Sequence, residues 1–296
     1  MMPETWVNGQ PAKEVLACDR GLHYGDGFFT TALIGHGTLL NAQAHWQRLQ
    51  ASAQRLHFIQ FSLSEVQRQV KQCVAETQPE LAVLKILVTR GCGGRGYAPP
   101  VEEKNTVVIQ LLPFPLEMDL QAFWAWLVHK PVIEAPVLQS KWGCHAQLAG
   151  VKHLNRLENV LARQELQQWE NLKVLEEGVM LNENAEVISG TQSNLVASIS
   201  GRWVTPKLHH SGVMGTTLRR LSAGMEIAAS TLSLQTLQQA EALFFCNAVR
   251  GVIPVRRLIL NAEQAVDFSI EKVLPVQRYW RDCLQKDLIG SKGSCA

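Results

Sequence analysis

The stretch Asp19-Arg20-Gly21-Leu22-His23-Tyr24-Gly25-Asp26-Gly27-Phe28-Phe29-Thr30-Thr31 changes character partway along. It starts polar and glycine-rich, and from Phe28 to Leu33 it becomes a β-rich run. Glycine reaches backbone conformations closed to other residues, whereas aromatic and β-branched side chains suit a pleated strand. The passage therefore predicts a loop feeding a strand. Phe28–Leu33 and Thr38–Leu40 flank Gly35-His36-Gly37, so the strand turns back as a hairpin. Upstream, Trp6-Val7 followed by Asn8-Gly9 carries another hairpin signal.

Downstream, Trp46, Leu49, Ala53 and Leu56 recur at helical spacing and predict a helix over Ala42–Leu56. Ser64 and Gln67 form a capping box that opens a second helix running to about Glu76. Leu81–Thr89 and Thr106–Leu112 are β-rich runs around a loop at Gly91–Pro100. Pro113-Phe114-Pro115 cannot continue a central strand and reads as a hinge. Beyond it the pattern predicts a strand at Ala122–Val128 and a loop ending near Gly150. A helix at Leu157–Trp169, strands at Val174–Leu181 and Leu195–Ile199, and helices at Thr216–Ala229 and Ser269–Gln285 complete it. The sequence reads as two α+β domains: residues 1–112, a linker at 113–118, and residues 119–296.

The bulk numbers exclude several classes. With 28 Lys plus Arg against 26 Asp plus Glu, the formal charge is +2, which leaves no basic footprint for nucleic acid. No apolar run approaches the ~20 residues of a membrane span. Met1–Trp6 lacks the layout of a signal peptide, so the expectation is a cytoplasmic protein. The seven cysteines are scattered without CxxC spacing or a nearby His cluster, which predicts reduced structural thiols and no metal site.

Gly91, Gly93 and Gly96 spell a GxGxxG motif, but Tyr97-Ala98-Pro99-Pro100 forbids the helix that a dinucleotide-binding loop requires. What remains is a loop around Arg95, readable equally as an anion clamp and as a solvated turn. Lys152 stands in Gly150-Val151-Lys152-His153-Leu154-Asn155-Arg156, where apolar neighbours can desolvate the ammonium and free the amine for covalent chemistry. Most lysines are solvated surface charges, so the segment alone is weak evidence. Two other stretches add to it. Gly212-Val213-Met214-Gly215-Thr216-Thr217 opens a helix with glycine and two hydroxyls, a phosphate-binding start. Asn247-Ala248 follows an apolar strand and offers a further backbone donor, and Arg48 offers a guanidinium unless it is a helix-surface charge.

The Asp19–Thr31 stretch resembles the opening signature of the fold-type IV enzymes that use pyridoxal 5′-phosphate (PLP). These comprise branched-chain aminotransferases, D-amino acid aminotransferases and 4-amino-4-deoxychorismate lyases. His45–Leu49, the Lys152 segment and Asn194-Leu195 come in the same order and spacing, so the resemblance spans about residues 6–255. It implies a two-domain α+β fold with a small N-terminal domain and a larger, β-barrel-like C-terminal domain with helices. It also implies a homodimer.

Within that family the paired Thr30-Thr31, Arg90–Tyr97 and Lys152–Glu158 look most like the lyase branch. The implied reaction converts 4-amino-4-deoxychorismate to 4-aminobenzoate and pyruvate, a step of folate synthesis. An aminotransferase of the same fold, or a weakened member of the family, is the alternative. The resemblance implies that Lys152 binds PLP covalently and serves as base, and that Thr30 or Thr31 makes a polar contact near the leaving group. Arg48, Asn194, Gly215, Thr216, Thr217, Asn247 and Ala248 would hold the cofactor, and Arg95, Tyr97, Asn155 and Arg156 would contact substrate. One departure stands out. The family places Glu five residues before the Asn of the Asn-Leu pair, against the pyridine nitrogen, and here that position is Ser189. A hydroxyl does not hold a proton there as a carboxylate does.

Overall fold

The computed structural model describes residues 4–93, 95–169 and 177–292. The chain forms two compact units. The first takes the chain up to Phe123, Val151–Asn155 and the chain from Leu284, and the second takes Trp124–Gly150 and Arg156–Cys283. The crossing falls at Phe123 and not in the expected linker at 113–118. Pro113 still closes a strand, paired with Ala82, and Phe114 packs edge-on to Phe123 at 5.2 Å, which carries the first unit past the proline pair.

In the first unit β1 (Glu4–Val7) turns through Asn8 and Gly9 into β2 (Gln10–Pro11). Both turn residues have positive φ, 51° and 77°, as a primed two-residue hairpin requires. A short helix α1 (Arg20–Tyr24), capped by Asp19 through Gly21 N, precedes β3 (Gly27–Gly35) and β4 (Thr38–Leu39). Helices α2 (Ala42–Arg55) and α3 (Leu63–Thr77) follow, then β5 (Leu81–Thr89) and β6 (Thr106–Pro113). The cap of α3 is Ser62, whose hydroxyl accepts from Glu65 N, and not the expected Ser64. The six strands form an antiparallel sheet in the order β2-β1-β6-β5-β3-β4. One face, with Phe28, Leu84, Ile86 and Ile109, packs in a single core with Leu49, Val66 and Val70 of the two helices. At the start of α2 the Asn41 amide is held by Asp287 at 2.8 Å.

The Ala122–Val128 run expected as a strand is helical: α4 spans Leu120–His129. Phe123 and Leu127, one turn apart, are both fully buried, and Asp119 accepts from Ala122 N at 2.7 Å. The cap and the 3.6-residue period outweigh the aromatic β-propensity. The second unit continues with β7 (Ile133–Trp142), α5 (Leu157–Gln167), β8 (Val179–Asn182), β9 (Val187–Ser189), β10 (Asn194–Ile199) and β11 (Arg202–Pro206). Residues 174–176 of the expected strand lie outside the described residues.

Helix α6 (Thr216–Gly224) ends sooner than expected, and Ala228 and Ala229 belong to β12 (Ile227–Ser230), paired parallel to β11. At Gly224 a Cβ would stand 1.6 Å from the Tyr279 hydroxyl, so any larger residue there must displace the tyrosine tip. Then come α7 (Leu234–Gln238), β13 (Ala242–Asn247), β14 (Gly251–Ile259), β15 (Ala265–Asp267) and α8 (Leu274–Lys292). The nine-stranded mixed sheet runs β12-β11-β10-β13-β14-β7-β8-β9, with β15 on β14. Its core gathers Leu195, Phe245, Val255 and Leu258. Two sheet-based units with helices are the α+β architecture expected. Among the described residues no helix is long and apolar enough to cross a membrane.

Candidate active site

In the first unit the site is organised by β3. Successive residues of a strand face opposite ways, so Phe29 and Thr31 lie on one face while Phe28 and Thr30 lie on the other. Val151–Asn155 runs beside the start of this strand. Phe29 N donates to Lys152 O at 2.9 Å, Leu154 N donates to Gly27 O at 3.0 Å, and Phe28 bridges His153. Asn155 Nδ2 adds a bond to Gly25 O at 3.1 Å, where Gly25 has φ 62° and a Cβ would collide with the Asn155 amide. These ties set the half-buried Lys152, whose Nζ lies 4.4 Å from the Phe29 ring centroid. A cation over an aromatic face is attracted to it, and the ring also shields the amine from water.

Thr31 shares the Phe29 face; Thr30 does not. Thr30 is fully buried toward α2, where its hydroxyl bonds His45 Nδ1 at 2.7 Å and receives Arg48 Nη1 at 3.4 Å. Strand alternation thus places Thr31, and not Thr30, on the face that Lys152 shares with Phe29. Arg48 is buried, not a surface charge. His45 is also buried, and desolvation together with the Arg48 charge holds its pKa well below the ordinary histidine value.

Arg95 and Tyr97 are exposed on the Gly91–Ala98 loop, and Tyr97 stacks edge-on to Tyr24 at 5.4 Å. The start of that loop carries a correction: Cys18 and Cys92 form a disulfide, 74 residues apart in sequence, where reduced thiols were expected. Asp19 bridges Cys92 as an isolated β-pair, which brings the two sulfurs together.

In the second unit Asn194 staples the turn before α6. Its Nδ2 donates to Val213 O and its Oδ1 accepts from Gly215 N, both at 2.8 Å. Gly215 caps α6 without a side-chain bond, and the first-turn amides of a helix have no intrahelical acceptor. Thr216 and Thr217 are buried there, and the Thr217 hydroxyl meets no hydrogen-bond partner among the described residues. A buried, unsatisfied hydroxyl at an uncapped helix start is a fitting cradle for a phosphate.

Asn247 is occupied in its own turn: Oδ1 accepts from Val249 N and Arg250 N, and Nδ2 donates to Ser193 Oγ. Ala248 lies within that turn. Arg156 stands 5.4 Å from the Trp142 ring, and burial lowers its pKa to about 10.

The Ser189 hydroxyl accepts from Trp142 Nε1 at 2.9 Å and donates to Gly190 O at 2.8 Å. Its one proton is committed to a carbonyl, so it has none to offer a ring nitrogen. Glu186 is bonded to Asn182 in the turn between β8 and β9. The buried carboxylate of this region is Glu177, which sequence reasoning missed. It accepts from Thr191 N, Thr191 Oγ1, Ser193 Oγ and Arg250 Nη2 at 2.5–2.8 Å. Burial pulls the Arg250 pKa down against the pull of Glu177. Lys130 donates to the Arg250 carbonyl, and desolvation holds its amine well below the ordinary lysine range.

Sequence and fold comparisons agree with this geometry. Residues 27–258 match the amino-transferase class IV family. The chain is 34% identical over 274 residues to the aminodeoxychorismate lyase of Vibrio harveyi, covering 90% of this chain and 96% of that protein. It is 24% identical to the branched-chain-amino-acid aminotransferase of Escherichia coli K12, covering 85% of this chain and 83% of the other. The structure of 4-amino-4-deoxychorismate lyase from Pseudomonas aeruginosa aligns with a TM-score of 0.79 at 32% identity, covering 96% of this chain and 99% of that one. The chain belongs to the amino-transferase class IV family.

Proposed function

We propose that this protein is a PLP-dependent lyase that converts 4-amino-4-deoxychorismate to 4-aminobenzoate and pyruvate. The observation that carries the reading is the setting of Lys152. A five-residue segment is pinned beside β3, and the amine it carries lies on the Phe29 ring, on the face that Thr31 shares. The 34% identity to a lyase over most of the chain points to the same activity.

Two observations fit the cofactor: the amine held at Phe29 and the orphaned Thr217 hydroxyl at the uncapped start of α6. When bound to an amine substrate, PLP supplies an electron sink for a bond broken at the amine-bearing carbon. Lys152 would hold it through Nζ, and its free amine would serve as the base for the proton on that carbon. Thr217 Oγ1 with the α6 amides would supply neutral donors for a phosphate, and Arg48, held against Thr30, is the cation the family pattern offers for it. Asn194 holds Gly215 in place for that role. Ser189 keeps Trp142 in position and leaves proton control to other groups. Thr31 serves as the polar contact near the departing three-carbon group. The protein acts as a homodimer in this reading.

The test is direct. Purified protein loaded with PLP should release pyruvate and 4-aminobenzoate in equal amounts from 4-amino-4-deoxychorismate. Net amino transfer from an amino acid to a keto acid, with no pyruvate release, would replace this reading with an aminotransferase.

A further inference from the structure

We propose that Arg20 is a positioning residue that holds the backbone of Gly96–Ala98 in shape, so that Arg95 and Tyr97 meet a substrate carboxylate without prior ordering. The inference rests on the lyase reading for the identity of the substrate. The clamp itself rests on geometry.

Three successive carbonyls converge on the guanidinium of Arg20. Nη1 donates to Gly96 O and Ala98 O, each at 3.1 Å, and Nη2 donates to Tyr97 O at 2.9 Å. Nε donates to Asp26 Oδ2 at 2.8 Å. A guanidinium has five N–H donors in a rigid fork, and this one commits four of them. The side chain is only 5% exposed. Its own position is fixed in turn, because Asp26 also binds Arg90 at 2.9 Å and Arg90 binds Glu103 at 2.5 Å. Beneath the loop, Arg20 lies 4.9 Å from the Tyr24 ring, against which Tyr97 stacks. At Gly93 a Cβ would come within 2.8 Å of Arg20 Cδ, so the loop passes close over the clamp.

Tyr97 is 85% exposed, and Arg95 is exposed and pairs with no carboxylate among the described residues. The Cys18–Cys92 disulfide ties the base of the same loop. Two anchors on a short exposed segment are more than a surface turn needs. They fit a segment that must be in place before a ligand arrives, because ordering a mobile loop on binding subtracts from affinity. The substrate proposed here carries two carboxylates, and an outward-facing Arg beside Tyr is suited to receive one of them.

The experiment begins with turnover of the wild-type holoenzyme on 4-amino-4-deoxychorismate. Arg20→Lys keeps a cation for Asp26 but cannot serve three carbonyls with one ammonium. KM should rise by at least about tenfold, the scale of a misplaced binding group, while kcat stays within about threefold. Arg95→Ala should raise KM similarly, and the double variant should be no worse than the poorer single one, as expected of two residues acting as a unit. Trypsin cleavage after Arg95 should accelerate by about tenfold in Arg20→Lys. Should Arg20→Lys fail to fold, Tyr24→Leu removes the ring beneath the clamp and should raise KM in the same direction.

An unchanged KM in the folded variants, or KM effects that multiply in the double variant, would overturn the proposal. If wild-type protein shows no turnover, the lyase reading falls by itself. The trypsin comparison needs no substrate and still decides the clamp, with equal cleavage rates refuting it.

Discussion

Thr30 and His45, on facing elements of the first unit, share a fully buried hydrogen bond of 2.7 Å beside the Arg48 guanidinium. The folded pKa of His45 is depressed by burial and by Arg48. The unfolded chain, with an ordinary value near 6.5, therefore binds more protons just below that pH. Stability should fall as pH drops from about 6.5 toward the lowered folded value, by up to about 1.4 kcal/mol per pH unit. Urea unfolding at pH 7 and pH 5 should show a loss in wild type that is about 1–2 kcal/mol larger than in His45→Asn. Equal losses in the two proteins would remove His45 from the acid response.

Thr217→Val replaces an unsatisfied buried hydroxyl by a group of the same shape. Thermal melting of the cofactor-free protein should be unchanged or slightly improved. PLP affinity should weaken by about 1.5–3 kcal/mol, the worth of a hydrogen bond to a charged group. A titration giving wild-type affinity would take Thr217 out of the phosphate site.

Glu177→Gln removes the carboxylate that neutralises the Arg250 guanidinium in the interior of the second unit. Stability should drop by about 3–5 kcal/mol, far more than for a surface pair. Adding Arg250→Met should recover part of that loss, because the buried charge that Glu177 offset is gone. Chemical denaturation of the three proteins checks the order, and a double variant worse than Glu177→Gln would contradict it.

Reducing the Cys18–Cys92 disulfide should cost about 2–4 kcal/mol, since the bond closes a long loop in the unfolded chain. Cys18→Ser should match reduced wild type and show no further response to dithiothreitol. A Cys18→Ser protein as stable as the oxidised wild type would mean that the link adds nothing to the fold.

The elements that announced themselves in sequence are those whose cause is local. Asn8-Gly9 and His36-Gly37 form their hairpins because those residues adopt positive φ, and Trp46 to Leu56 traces a helix by period alone. Ala122–Val128 misled because its aromatic residues favour a strand, while the Asp119 cap and the Phe123–Leu127 period favour the helix that forms. Lys152, Arg48 and the Gly215–Thr217 turn are candidates that only a family pattern singles out. Which of Thr30 and Thr31 meets α2 is not visible in the spacing, since it depends on which face of β3 packs there. Arg20, Asp26 and Arg90 stood within quoted stretches, yet their network joins residues up to 78 apart. The Cys18–Cys92 pair is equally long-range, and pairing cannot be deduced from spacing. Glu177 looks like one of two adjacent surface acids until Ser193 and Arg250 close around it.

The discontinuity of the first unit has a consequence in time. Chains are made from the N-terminus at about 5–20 residues per second, and units normally fold as they emerge. Here the segment carrying Lys152 arrives only after the second unit's opening stretch, Trp124–Gly150, and the bond from Asn41 N to Asp287 waits for the last part of α8. Asn41 opens the helix that bears His45 and Arg48. A nascent chain stopped short of Leu284 therefore holds its first unit unfinished, so the setting of Lys152 and Arg48 is completed only after the second unit's chain has been made.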